Sequence, residues 1–103
     1  MKLVNMHIYL CDYKDETYNA FKDACQSFNN YGVKDISISP IRDYGEFGEI
    51  YVTLQLDEHY LNALLDFISD GWEGPEDDCM AVAFTSNRIF HESINTIYFT
   101  MYD

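Results

Sequence analysis

The sequence predicts an α+β fold in which an antiparallel sheet carries two helices on one face. Five short segments alternate apolar and polar residues, which is the period of a half-buried strand. Two longer segments repeat apolar residues every three to four positions, which is the period of an amphipathic helix. The chain has 103 residues, of which 48% are apolar and 17% aromatic. That composition is sufficient for one hydrophobic core, so we predict a single domain over 1–103.

The first half of the chain predicts a strand, a helix and a second strand. Residues 3–10 place an apolar side chain at every even position, which indicates a strand with one buried face. Residues 16–30 repeat aromatic and small apolar side chains at helical spacing, with Asp15 as the expected N-cap and Gly32 as the stop. Residues 33–39 alternate again and predict the second strand.

The second half predicts a hairpin, a helix and two further strands. The predicted elements are a hairpin loop at 42–48, a strand at 49–56, a helix at 58–70, and strands at 80–85 and 95–102. Asp57 is the expected cap of the helix, and Gly71 its stop. The order βαββαβ is that of a ferredoxin-like split βαβ unit, here with an extra C-terminal strand. That last strand carries neither Lys nor Pro, so it could be an exposed edge through which a homodimer forms.

One face of the predicted sheet is left open by the helices. Its outward positions are mainly hydroxyl and aromatic side chains: His7, Tyr9, Ser37, Ser39, Tyr51, Thr53, Gln55, Thr96, Tyr98, Thr100 and Tyr102. Tyrosine supplies a large, rigid contact area at low entropic cost, so this face favours a protein interface, with Tyr51 and Tyr98 as predicted partner-binding residues. The alternative is a solvated sheet decorated with good strand formers.

The charge of the chain is strongly negative and unevenly distributed. The formal net charge is −12. Residues 1–48 hold seven acids and five bases, whereas residues 49–103 hold eleven acids and a single base, Arg88. Such a surface repels phosphates, which argues against direct binding of nucleic acid or an anionic membrane. It favours a basic protein partner, because complementary fields speed encounter and select against wrong partners.

The predicted partner-binding acids lie on the second helix and in the turn that follows it. Glu58, Asp66 and Asp70 are spaced at multiples of four residues, which places them along one exposed ridge of a helix over 58–70. The turn continues this negative line with Glu73, Glu76, Asp77 and Asp78. The alternative is that the run is a solvated face that keeps the protein dissolved.

Trp72 lies inside the acidic run. An aromatic side chain ringed by acids is typical of an interface anchor, so Trp72 is also predicted to bind the partner. The alternative is that its ring closes the end of the helix against the core.

No pattern of residues points to an enzyme, a cofactor or a metal. The three histidines are scattered, and two candidate ligands such as His7 and Cys11 do not make a zinc site. No calcium-loop pattern and no phosphate-binding glycine loop is present. Three cysteines without CxxC spacing favour reduced thiols, and neither a signal peptide nor a membrane-length apolar run is visible. We therefore expect a cytoplasmic protein that works without catalysis.

The chain resembles, as a class, the small acidic inhibitors that phages and mobile elements carry. This resemblance to anti-CRISPR and anti-restriction proteins, several of which imitate DNA, rests on overall composition and on the acidic residues of the second half. It implies a non-enzymatic inhibitor that blocks a basic nucleic-acid-binding surface of a nuclease or defence complex in a bacterial cell. Two alternatives stay open: an immunity protein that neutralises a nuclease toxin, and a small enzyme or ligand-binding domain with a concave pocket.

Overall fold

The computed structural model describes residues 1–74, 81–84 and 88–102. Its strands and helices are β1 (Lys2–Leu10), α1 (Asp15–Cys25), β2 (Val33–Ile38), β3 (Arg42–Tyr44), β4 (Phe47–Leu56), α2 (Leu61–Ile68), β5 (Trp72–Glu73), β6 (Ala81–Phe84) and β7 (Ile94–Tyr102). Short 3₁₀ turns follow α1 at Gln26–Asn30 and precede α2 at Glu58–Tyr60. Among the described residues, no helix has the length and hydrophobicity that crossing a membrane requires.

The strands form one antiparallel sheet in the order β2-β4-β1-β7-β6-β5, with β3 also paired to β4. Strands β2 and β3 occupy successive stretches of the same edge of β4, because Val33 pairs with Leu56 whereas Tyr44 pairs with Phe47. They are separated at Pro40, whose nitrogen cannot donate to the ladder. The prediction of an α+β fold with an antiparallel sheet and two helices is confirmed. The sheet itself is more complex than predicted, since β3 and β5 were not expected.

The predicted edge position of the last strand is wrong. β7 pairs with β1 on one side and, at Thr96–Phe99, with β6 on the other, so it lies inside the sheet rather than at its edge. The alternation of apolar residues predicts the strand but gives no information on which strands pair with it, and therefore not that β6 pairs with β7 on the side away from β1. The sheet instead ends at the β2–β3 edge and at the two-residue strand β5. The homodimer itself stays a prediction.

Both helices pack on the same face of the sheet. The even-numbered residues of β1 that alternation predicted to be inward, from Val4 to Leu10, are fully buried. Phe21 and Cys25 of α1 join them in one core, and so do Leu64 and Ile68 of α2. Fully burying a side chain of this size contributes roughly 1.5–3 kcal/mol, so this single layer between helices and sheet dominates the stability. The opposite face of the sheet is left to the polar and aromatic side chains.

The first helix begins one residue earlier than predicted, and its cap differs. Asp15 is the first helical residue rather than the N-cap, and the N-cap is Lys14, whose side chain makes no capping bond. The carboxylate of Asp12 instead accepts a hydrogen bond from the Lys14 N–H at 3.0 Å. A hydrogen bond from the Thr17 side chain and this backbone bond lower the pKa of Asp12. The negative charge of Asp15 in the first turn favours the positive end of the helix dipole.

The second helix is shorter than the predicted range of 58–70. The predicted cap is confirmed at the 3₁₀ turn that leads into α2, where the Asp57 carboxylate accepts a hydrogen bond from the His59 N–H at 3.1 Å. At the other end, Ser69 adopts an extended conformation and bridges to Ile89, which stops the helix before Gly71. Asp70 therefore does not belong to α2, and the predicted helical ridge is wrong at that position.

Candidate functional site

A carboxylate lies buried on the otherwise polar face of the sheet that the helices leave open. Glu49 of β4 is only 8% exposed. Its Oε2 atom lies 2.9 Å from Nε2 of His7 and 3.5 Å from the hydroxyl of Tyr9. Because an ionised carboxylate only accepts hydrogen bonds, His7 donates its Nε2–H to Glu49. The other oxygen, Oε1, lies 3.8 Å from Nη1 of Arg42.

The pairing register of the central strands brings these residues together. On β1, His7 lies opposite Tyr51 of β4 and opposite Tyr98 of β7. Tyr9 lies opposite Glu49, so the contact between His7 and Glu49 is a diagonal one across neighbouring strands. The site therefore lies on paired strands at the middle of the sheet, next to an irregularity in the β1–β7 pairing after Tyr9, and its side chains are held by the ladder rather than by a loop.

Four tyrosine rings surround the pair of His7 and Glu49. The imidazole of His7 stacks on Tyr51 with ring centroids 4.4 Å apart and an interplanar angle of 11°. Tyr9 lies 4.7 Å from His7, and it meets Tyr44 at 5.4 Å and the edge of Tyr98 at 6.3 Å. We call the set His7, Tyr9, Tyr44, Glu49, Tyr51 and Tyr98 the aromatic–carboxylate cluster.

The negative charge of Glu49 is only weakly neutralised by the cationic side chain beside it. Desolvation and the nearby charge of Glu49 raise the pKa of Tyr9, so its hydroxyl remains protonated and able to donate at neutral pH. The Arg42 side chain is 75% exposed, so its contact with Glu49 is a long, solvated ion pair of small net value. The cluster thus presents aromatic faces around a negative charge that the protein has already oriented.

Alternation along the strands predicted only part of this cluster. Tyr51 and Tyr98, the two predicted partner-binding tyrosines, do lie on the open face. Glu49, Tyr44 and Arg42 were not predicted as site residues. The available signal was the outward position of Glu49 on the predicted strand, where it is a carboxylate among hydroxyls and rings. Tyr44 and Arg42 were assigned to a loop, whereas the structure places them on β3.

The predicted acidic residues of the second half are only partly brought together. Arg88 contacts Asp66 only through its backbone: the guanidinium donates to the backbone oxygens of Phe67, at 3.1 Å, and of Asp66. The Arg88 N–H donates to the Asp70 carboxylate at 3.0 Å. A cation at the C-terminal end of α2 interacts favourably with the helix dipole and offsets the unfavourable effect of the Asp70 charge at the same end.

The remaining predicted acids are distributed around α2 and beyond it. Glu58 is exposed in the turn before α2, at the opposite end of the helix from Asp70. Glu73 is exposed on the edge strand β5. Glu76, Asp77 and Asp78 lie outside the described residues. The described acids therefore follow the outer side of α2 and the nearby sheet edge, without forming one helical ridge.

Trp72 packs inward rather than standing among the acids. Its indole N–H donates to the backbone oxygen of Leu65 at 2.8 Å. Its ring meets Phe99 edge-on at 5.8 Å and packs against the core. These contacts tie β5 to α2 and to the sheet, which is the structural role that the sequence left open as the alternative to an interface anchor.

The described part of the chain contains no group of three or more histidine, cysteine or acidic side chains arranged to hold a metal ion. Comparison of the chain with protein-family models, with curated proteins and with solved structures finds no match.

Proposed function

We propose that this protein is a non-enzymatic inhibitor that binds a basic nucleic-acid-binding surface of a nuclease or defence complex in a bacterial cytoplasm and blocks it. The observation that carries this proposal is the separation of charge along the chain. Eleven of the eighteen acids fall in residues 49–103, together with one base. A surface of this kind attracts lysine- and arginine-rich grooves that normally hold phosphates, so it acts as a decoy for DNA.

The surroundings of Arg88 strengthen the negative character of this surface. Its guanidinium is bound by the backbone oxygens at the end of α2, and its N–H by Asp70. The single base of the second half is therefore engaged by the end of α2 and by Asp70. Glu58, Asp66 and Glu73 are exposed and available to a partner.

We further propose that the sheet contains a ferredoxin-like unit with an insertion. The four strands β2, β4, β1 and β7 are adjacent in that order, α1 follows β1, and α2 follows β4. This order supports the split βαβ arrangement. Strands β5 and β6 then form an insertion between α2 and β7, which extends the sheet beyond β7.

The proposal is tested by displacement of DNA from candidate targets. Purified nucleases, nuclease toxins and RNA-guided effector complexes are each bound to a fluorescent DNA duplex, and the protein is titrated into each. We expect at least one of them to lose its DNA, with an affinity for the protein that falls steeply as salt rises. Displacement from a nuclease toxin alone would instead identify an immunity protein.

A charge-reversed variant and a matched control connect the displacement to the acidic surface. The variant Glu58→Lys/Asp66→Lys/Glu73→Lys is expected to lose the activity while remaining folded. The control Glu16→Lys/Asp23→Lys/Asp35→Lys carries the same change of net charge in the first half, at positions that are also exposed and do not flank the cluster. Equal loss in both variants would show that only net charge matters, and the proposed surface would be wrong.

A further inference from the structure

We propose that the aromatic–carboxylate cluster receives an arginine side chain from the partner protein. This inference rests on the proposed function, since it requires a basic partner, and it adds the place on the molecule and the side chain that is recognised. The cluster lies on the open sheet face, opposite the face that α2 and its Asp66 cover. It therefore gives specificity to an encounter that the acidic surface accelerates.

The exposed tyrosines supply stacking surfaces for a planar cation. Tyr44 is 58% exposed and Tyr51 is 38% exposed. A guanidinium stacks on such rings through both its charge and its flat shape, whereas the compact ammonium of lysine gains less from the same contact. Contiguous exposed side chains of this size are typical of an interaction surface, and the face continues beyond the cluster with Leu3 and Tyr102, 42% and 49% exposed.

The buried carboxylate of Glu49 supplies a negative charge that attracts an arginine guanidinium. His7 and Tyr9 hold Oε2 of Glu49, so the carboxylate needs no rearrangement before binding. Oε1 faces the guanidinium of Arg42 at 3.8 Å, which is beyond hydrogen-bond distance. The chain's own arginine thus shows that a guanidinium approaches this oxygen, and its mostly exposed side chain can yield the position to an incoming one.

The negative charge of the cluster and of the chain favours an arginine over the two other candidate occupants of an aromatic sheet face, which are single-stranded RNA and a second copy of the chain. Single-stranded RNA also stacks its bases on tyrosines, but its phosphates would meet the carboxylate of Glu49 on a chain with a net charge of −12. A second copy of the chain would bring another net charge of −12 to the same face. Only a basic partner is attracted by the field as well as by the rings.

The test is a comparison of two peptides of equal charge by nuclear magnetic resonance. A hexa-arginine and a hexa-lysine peptide are titrated separately into the ¹⁵N-labelled protein. We expect hexa-arginine to bind about tenfold more tightly and to shift the amides of β1, β4 and β7 around His7, since stacking adds to the charge attraction. Equal affinities, or shifts confined to α2 and β5, would overturn the proposal, and so would tighter binding of an oligouridylate at the same amides.

Variants on the same face separate the cluster from general electrostatic attraction. Tyr51→Ser is expected to abolish the preference for arginine, whereas Tyr102→Ser, an exposed tyrosine on the same face about 13 Å from Tyr98 along β7, is expected to retain it. Arg42→Gln is expected to tighten hexa-arginine binding by removing the competing guanidinium. Lys34→Gln removes the same charge from β2, so an equal effect of Lys34→Gln and Arg42→Gln would contradict the proposal.

Failure of this inference is distinguishable from failure of the proposed function. If DNA displacement occurs and depends on the acidic surface while hexa-arginine shows no preference for the cluster, the inhibitor remains and the arginine site is wrong. If hexa-arginine binds the cluster while no candidate target loses its DNA, the arginine site remains and the inhibitor is wrong.

Discussion

His7 and Glu49 form a hydrogen-bonded pair across neighbouring strands, with Nε2 of His7 2.9 Å from Oε2 of Glu49. The pair lies on the face of the sheet that faces away from the core, yet the side chain of Glu49 is only 10% exposed. A carboxylate this buried is costly unless donors surround it, so the hydrogen bond from His7 offsets part of the cost of burying Glu49. The pair is therefore a built feature of the open face rather than a chance contact.

The first prediction concerns the free energy of unfolding of variants at this pair. His7→Leu leaves the buried carboxylate without its closest donor, and we expect a loss of about 1–3 kcal/mol in urea denaturation. The double variant His7→Leu/Glu49→Leu removes the charge as well and is expected to be less destabilised than the single variant. A double variant that is less stable than His7→Leu alone would show that the contact with Glu49 is not what His7 provides.

The second prediction concerns the end of α2. Arg88→Ala removes a cation from the backbone oxygens of Asp66 and Phe67 and from the carboxylate of Asp70, and we expect a loss of about 1 kcal/mol at low salt. Arg42→Ala is the matched control, because its single contact with Glu49 is long and solvated, and it is expected to cost less than half as much. If Arg88→Ala and Arg42→Ala lower the free energy of unfolding equally, whether measured by heat or by urea, the role of Arg88 in capping α2 would be contradicted.

The third prediction compares the stability cost of replacing two glycines, Gly32 and Gly45, that have nearly the same backbone conformation. Gly32 has a φ of +66° and Gly45 a φ of +67°, so alanine is strained at both positions. A Cβ at Gly32 would also collide with the ring of Tyr60, whereas at Gly45 it would meet open space. We expect Gly32→Ala to destabilise the protein by at least about 1 kcal/mol more than Gly45→Ala in urea denaturation. Similar losses would show that the Tyr60 ring moves aside freely.

The fourth prediction concerns stability in acid. The hydrogen bonds from the His59 N–H and from its side chain lower the pKa of Asp57. A carboxylate with a lowered folded pKa contributes stability that is complete above its unfolded pKa, about 4, and that is lost as the pH falls through the folded pKa. Asparagine also caps helices but does not titrate, so Asp57→Asn is expected to flatten the decline of unfolding free energy below about pH 4. An unchanged decline would mean that other carboxylates determine it.

Much of the fold was predictable because alternation and helical spacing report directly on burial. The even positions of β1, the apolar stripe of α2 and the outward tyrosines Tyr51 and Tyr98 all follow from such patterns. The strands β3 and β5 were missed because they have three and two residues, which is too short for a period to show.

The rest of the site could not be predicted because it depends on contacts between distant segments. The partner of Glu49 is set by the register between β1 and β4, which separates His7 from Glu49 by 42 positions in the chain. The end of α2 is set by the bridge from Ser69 to Ile89 and by Arg88, which arrive from beyond β6. The spacing of apolar residues predicted a helix as far as Asp70, because a local pattern contains no information about contacts with Arg88 and Ile89.

We propose that a basic macromolecule recognises the exposed acids of the second half, Glu58, Asp66 and Glu73. The most direct test is the displacement of DNA from a responsive target, measured at about 50 mM and about 200 mM salt for the wild type and for Glu58→Lys/Asp66→Lys/Glu73→Lys. The account predicts strong displacement by the wild type at low salt, a steep loss at high salt, and none by the variant. Displacement that is independent of salt and retained by the folded variant would contradict it.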